Sequence, residues 1–194
     1  MTRLRLLPAS ALVALSLTLC AGAQTPAAKP SGAIATHPDW PKAVPADVKS
    51  VESTIDAVYD VISGPKGQAR NWTRMRSLFV PGARLAPIRE TGSHADVTFL
   101  DIDGYIERAS KRMEAEGFFE KSIANRVEVY GNMVHVWSTY ESRHATSDAK
   151  PFARGINSFQ LLKDGERYWV VQILWDAETP TTPIPAKYLS IRKH

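Results

Sequence analysis

The chain has 194 residues, 23% of them charged and 44% hydrophobic, with a formal net charge of +4. That length suits one domain with a full core, and no basic block in the body argues for nucleic acid as a partner. Cys20 is the only cysteine, so a disulfide framework and a cysteine-based metal site are both excluded.

Arg3 and Arg5 precede the apolar run from Leu6 to Leu19, and Ala21-Gly22-Ala23 supplies small residues for cleavage. This order predicts a secretory signal peptide over 1–23 and export to the bacterial periplasm or beyond. The run is shorter than the roughly 20 apolar residues a bilayer span needs, so no membrane span is expected. Leu17-Thr18-Leu19-Cys20 offers a minority alternative, a lipid anchor at Cys20, with Leu19 bulkier than a lipobox prefers. Losing Arg3 and Arg5 with the signal lowers the net charge from +4 to +2.

Residues 24–46 hold Pro26, Pro30, Pro38, Pro41 and Pro45 among alanines, a linker composition. Trp40 is its one bulky side chain and a candidate pin to the domain. Val48, Val51, Ile55, Val58 and Ile62 then share one helix face, with Asp47 as the expected N-cap and Gly64-Pro65 as the stop. A shorter helix carries Trp72, Met75 and Phe79. Short extended pieces are expected at Arg84–Ile88 and Asp96–Leu100. A third helix carries Ile102, Ile106, Ala109 and Met113, capped by Asp101 or Asp103 and ended by Gly117. Beyond it the period becomes two. Ala124–Tyr130 and Met133–Ser142 flank Gly131-Asn132, and Phe152–Leu162 and Tyr168–Asp176 flank a turn at 163–166. Both read as hairpins of an antiparallel sheet covered by helices, an α+β layer fold. A domain over 47–178 leaves 179–194 as an irregular tail, with Tyr188 and Leu189 as possible anchors.

The element order, with Trp72-x-x-Met75-x-x-Leu78-Phe79 followed by Ala83, resembles the NTF2-like superfamily, in its SnoaL-like and ketosteroid-isomerase-like branches. The resemblance implies a cone: a strongly curved antiparallel sheet that encloses a pocket with three N-terminal helices. It carries no single activity, since the superfamily holds isomerases, dehydratases and proteins without catalysis. In the isomerase branch an oxyanion-binding tyrosine matches Tyr59. The position of the general base matches Pro87, and that of the second oxyanion donor matches Asn157. A Tyr–Asn pair polarises a carbonyl, but without a titratable base no proton leaves.

The same alignment places Val136, Ser138 and Tyr140 inward, and alternation adds Phe159 and Leu161 beside Asn157. On the last strand it groups Trp169, Val171, Ile173 and Trp175. A ligand site of Tyr59, Ser138, Tyr140, Asn157 and Trp175 follows, mostly apolar with a few polar groups, as small-molecule pockets are. Filling of this space by its own side chains is the competing reading. His94, beside Asp96, Asp101 and Asp103, is a weak catalytic candidate as a His–carboxylate dyad. His135, Glu141 and His144 lack a ligand spacing, so no metal is expected and no cofactor is implied. The expected functions are binding of a small apolar molecule, or an isomerase- or dehydratase-type reaction on a small carbonyl compound. A third is a homodimer joined through the outer sheet face at His135, Trp137 and Thr139.

Overall fold

The computed structural model describes residues 39–92 and 94–190. The expected signal peptide, Cys20 and most of the proline-rich stretch lie outside the described residues. So does the whole of the first of the chain's two units, Met1–Gly32, the second being Ala33–His194.

The second unit is α+β. A short α1 (Pro45–Val48) leads into α2 (Val51–Ile62), followed by α3 (Trp72–Leu78), β1 (Phe79–Thr91) and β2 (His94–Val97). Then come α4 (Ile102–Glu116) and four long strands: β3 (Phe119–Tyr130), β4 (Met133–Arg143), β5 (Ala153–Asp164) and β6 (Arg167–Ala177). The sheet has six strands in the order β2-β1-β6-β5-β4-β3. It is mixed rather than antiparallel, because β1 runs parallel to β6. Among the described residues, α1, α2 and α3 alone precede the sheet. The expected third N-terminal helix is α4, which enters between β2 and β3.

Local chemistry accounts for the boundaries. Ser50, not Asp47, caps α2: it and Ser53 exchange side-chain and backbone hydrogen bonds in a capping box. Asp47 is engaged elsewhere, in an ion pair with Arg74 at 2.8 Å. Asn71 caps α3 and Asp101 caps α4, while Gly117 ends α4 at φ 76°. Buried Arg70 replaces an ordinary helix end. Its guanidinium donates to the carbonyls of Ile62 (2.9 Å), Gly64 (2.6 Å) and Met113 (3.1 Å), and also to Gln68. One cation thereby joins the C-terminal end of α2, the turn after it and the last turn of α4.

Bulges set which side chains turn inward. On β6 the ladder skips Val171, pairing Leu161 with Val170 and Gln160 with Gln172. Val170 therefore joins Ile173 in the core, whereas Val171 is exposed. Trp169 turns to the other side, where it meets Trp40 edge-on at 5.5 Å under the Arg167 guanidinium. The expected inward row of Trp169, Val171, Ile173 and Trp175 is thus wrong at its first two positions. Strict alternation fails wherever a bulge adds a residue. On β4 and β5 alternation holds: Val136, Ser138, Tyr140, Asn157, Phe159 and Leu161 are all buried.

The outer face is covered by the chain itself. A 3-10 turn at Ala186–Tyr188 lays Tyr188 on Trp137, ring centroids 5.5 Å apart. Thr139 donates to the Tyr188 carbonyl at 2.6 Å and has no exposed surface. Two of the three residues of the expected dimer face, Trp137 and Thr139, are therefore covered within one chain. No helix of the described residues is long and apolar enough to cross a membrane.

Candidate functional site

Between the inner sheet face and helices α2 and α4 lies a cavity of about 450 Å³. Ile62, Met75, Leu85, Leu100, Phe159 and Ile173 make most of its wall apolar. α4 contributes Tyr105, whose ring meets Trp175 edge-on at 6.4 Å. Tyr59, Tyr140, Asn157 and Trp175 of the expected site all line this space. Ser138 stands behind Tyr59, fully buried, with its hydroxyl 2.7 Å from the phenol.

One end of the cavity is polar, and its centre is a residue that sequence reasoning missed. Glu120, on β3, accepts from Ser142 Oγ at 2.7 Å and from Asn157 Nδ2 at 3.4 Å. Asn157 also donates to the Tyr59 hydroxyl at 3.0 Å. The carboxyl is held from the backbone as well. Ser63 Oγ accepts the Glu120 N–H at 3.0 Å and donates to the Tyr59 carbonyl at 2.7 Å, tying the end of α2 to the start of β3. Opposite it in the ladder stands Ser142, two residues from inward Tyr140. Gly155 leaves room for the Tyr140 ring, since a Cβ there would lie 2.6 Å from its hydroxyl.

Burial raises the Glu120 carboxyl from 4.5 to about 7, with the Ser142 and Asn157 hydrogen bonds opposing the rise. Near neutrality it is thus divided between acid and carboxylate, the state a group needs to both take and return a proton. Burial, followed by the charge of Glu120, raises the Tyr59, Tyr105 and Tyr140 hydroxyls. All three stay protonated and available as donors. When Ser138 donates to the Tyr59 oxygen, the phenol keeps its own proton for a ligand. A second, polar cavity on the outside, of about 550 Å³, is also bordered by Tyr59 and Glu120.

Pro87, at the position that the resemblance gives to the isomerase base, lines the cavity. The carboxyl comes from another strand. His94 is not brought to the site: it sits exposed at the β1–β2 turn, away from the lining residues. Of its supposed partners, Asp101 caps α4 and Asp103 pairs with Arg76 at 2.6 Å. His135, Glu141 and His144 are not gathered either. His135 meets Ser158 at 2.9 Å, Glu141 pairs with Arg143 and with Lys121, and His144 bonds the Gly117 carbonyl at 3.1 Å.

An α+β fold with a helix-covered cavity and one buried carboxyl is what these residues define. No family model and no curated protein matches the chain. Among the solved structures to which the chain is similar are NTF2-like proteins of unknown function. One, from Methylobacillus flagellatus KT, is 16% identical with a TM-score of 0.43, over 67% of this chain and 95% of that one. Another, from Shewanella baltica OS155, is 16% identical with a TM-score of 0.41, over 67% and 98%. A candidate ketosteroid isomerase from Kribbella flavida DSM 17836 is 12% identical with a TM-score of 0.41, over 73% and 87%. The likeness concerns the fold, and no activity is carried over from it.

Proposed function

We propose that the cavity takes up a small, mostly apolar carbonyl compound, oxygen end toward Tyr59, and that Glu120 exchanges a proton with it. The observation that carries this reading is the Glu120 carboxyl, buried beside Tyr59 and Asn157 at the polar end of an otherwise apolar cavity. In its ionised form Glu120 takes a proton from the carbon next to the carbonyl. The enolate oxygen is held by the Tyr59 hydroxyl, and Glu120 returns the proton at the same or a conjugated carbon. The step needs no oxidant and no cofactor, and it is isomerase-type chemistry. Deuterium uptake by 2-tetralone in D2O, followed by proton NMR, tests it. Exchange accelerated by the protein and lowered about 100-fold or more in Glu120→Gln is expected. Exchange equal in the two proteins overturns it.

Binding without turnover is the second reading. It is favoured by the way Tyr59, Ser138 and Asn157 already bond one another. It requires that Glu120→Gln leave both affinity and the slow solution rate of exchange unchanged. Export with cleavage after Ala23 completes the proposal and is checked by the intact mass of protein recovered from the periplasm of its host. A mass retaining residues 1–23 overturns it.

A further inference from the structure

The arginines of the described residues separate into three groups. Arg74, Arg76, Arg112, Arg126, Arg143 and Arg154 are all ion-paired with carboxylates. Arg70, Arg84 and Arg167 donate to backbone carbonyls. Arg89 and Arg108 alone have neither a hydrogen bond nor an ion pair, and both border the same cavity. They reach it from different elements. Arg89 follows Leu85 and Pro87 on one face of β1, so the cavity wall leads outward to it. Arg108 lies on the flank of α4 beside Tyr105, one turn from Arg112.

The local sequence does nothing to neutralise them. Asp96 is the cross-strand neighbour of Arg89, yet no ion pair forms between them. Arg108 has Gly104 and Arg112 at its i−4 and i+4 positions, so its helix offers it only a like charge there. Glu116, the acid on this part of the lining, is taken by Arg112 at 3.1 Å. The exposed edge of the cavity thus carries two guanidinium groups that no carboxylate of the described residues holds in an ion pair, while the wall behind it is apolar.

We infer that the molecule bound in this cavity is amphiphilic, with an anionic group such as a carboxylate held at the rim by Arg89 and Arg108. This rests on the cavity reading above and adds the charge of the ligand. Guanidinium groups bind carboxylates through paired, charge-assisted hydrogen bonds, and the anion would orient the apolar body inward toward Glu120. It would also keep that anion away from the buried carboxyl, where like charges would repel.

The test is calorimetric binding of naphthalene-2-acetate and of its methyl ester to wild type and to Arg89→Ala/Arg108→Ala, at low and at physiological salt. Both residues are exposed, so the double variant keeps the core intact. At low salt, wild type should bind the acid about tenfold more tightly than the ester, the worth of one charge-assisted hydrogen-bonded pair. In the double variant the ratio should fall to about one, and added salt should reduce it in wild type. Equal affinities for acid and ester in wild type overturn the inference and leave the cavity reading standing. An acid preference that survives in the double variant also overturns it, because the anion is then held elsewhere. Failure of both probes to bind overturns the cavity reading and the inference together.

Discussion

Glu120→Gln should make the protein more stable, and more so as the pH rises. The carboxyl titrates near 7 in the folded chain and near 4.5 in the unfolded one. Between those values the unfolded chain has released its proton and the folded chain has not. Raising the pH therefore favours unfolding across this window: no penalty below 4.5, the full penalty above 7. Two and a half pH units at about 1.4 kcal/mol each give an upper bound of about 3.5 kcal/mol. Water reaching the carboxyl through the cavity reduces it, so about 1–3 kcal/mol is expected. Glutamine keeps the shape, and it can accept from Asn157 and donate to Ser142 while staying neutral. Urea unfolding followed by tryptophan fluorescence at pH 4.5, 5.5, 6.5 and 7.5 measures the difference between variant and wild type, in which the other titrating groups cancel. The difference should grow with pH and level off above about 7. A difference that is flat across the series would refute the reasoning, since Glu120 would then titrate alike in both states.

Gly155→Ala should cost about 1–3 kcal/mol by overpacking, because the new Cβ would stand 2.3 Å from the Asp176 carbonyl and 2.6 Å from the Tyr140 hydroxyl; urea midpoints read this directly. Tyr59→Phe should cost about 1–3 kcal/mol with the fold unchanged, since fully buried Ser138 and the Asn157 amide both lose a partner. Stability equal to wild type would mean that water replaces the hydroxyl. A chain lacking residues 179–194 uncovers Trp137 and Thr139, which Tyr188 covers in the full chain. It should self-associate more strongly than the full chain in sedimentation equilibrium, and identical masses would show that this sheet face has no tendency to pair.

Helices and hairpins were legible because their signals are local. Asn71, Asp101 and Gly117 mark ends that depend on a few neighbouring residues, and Gly131 takes positive φ at the β3–β4 turn. The parallel β1–β6 pairing was not legible, because it joins segments some ninety residues apart with no turn between them. Tyr59 and Asn157 were found through a family pattern. Glu120 was hidden twice over. The alternation that reveals β3 was read from Ala124 onward, whereas the strand begins at Phe119. A register shift between Ser122 and Ala124 then reverses the parity. Counting in twos from inward Val127 would put Lys121 inside and Glu120 outside. The structure does the opposite, with Lys121 at the surface beside Glu141, 3.2 Å away. The one signal available was Glu120 itself, an acid between Phe119 and the alternating run, and its meaning depends on the bulge. The same effect moved Trp169 to the outer side.

The most direct measurement is a carbon-13 NMR titration of glutamate side-chain carboxyls, with the Glu120 resonance assigned by its loss in Glu120→Gln, run with and without 2-tetralone. One carboxyl with a midpoint near 7, perturbed when 2-tetralone is added, is the expected result. A Glu120 midpoint near the ordinary 4.5, unmoved by the ketone, would contradict a proton-exchanging carboxyl inside a ligand cavity.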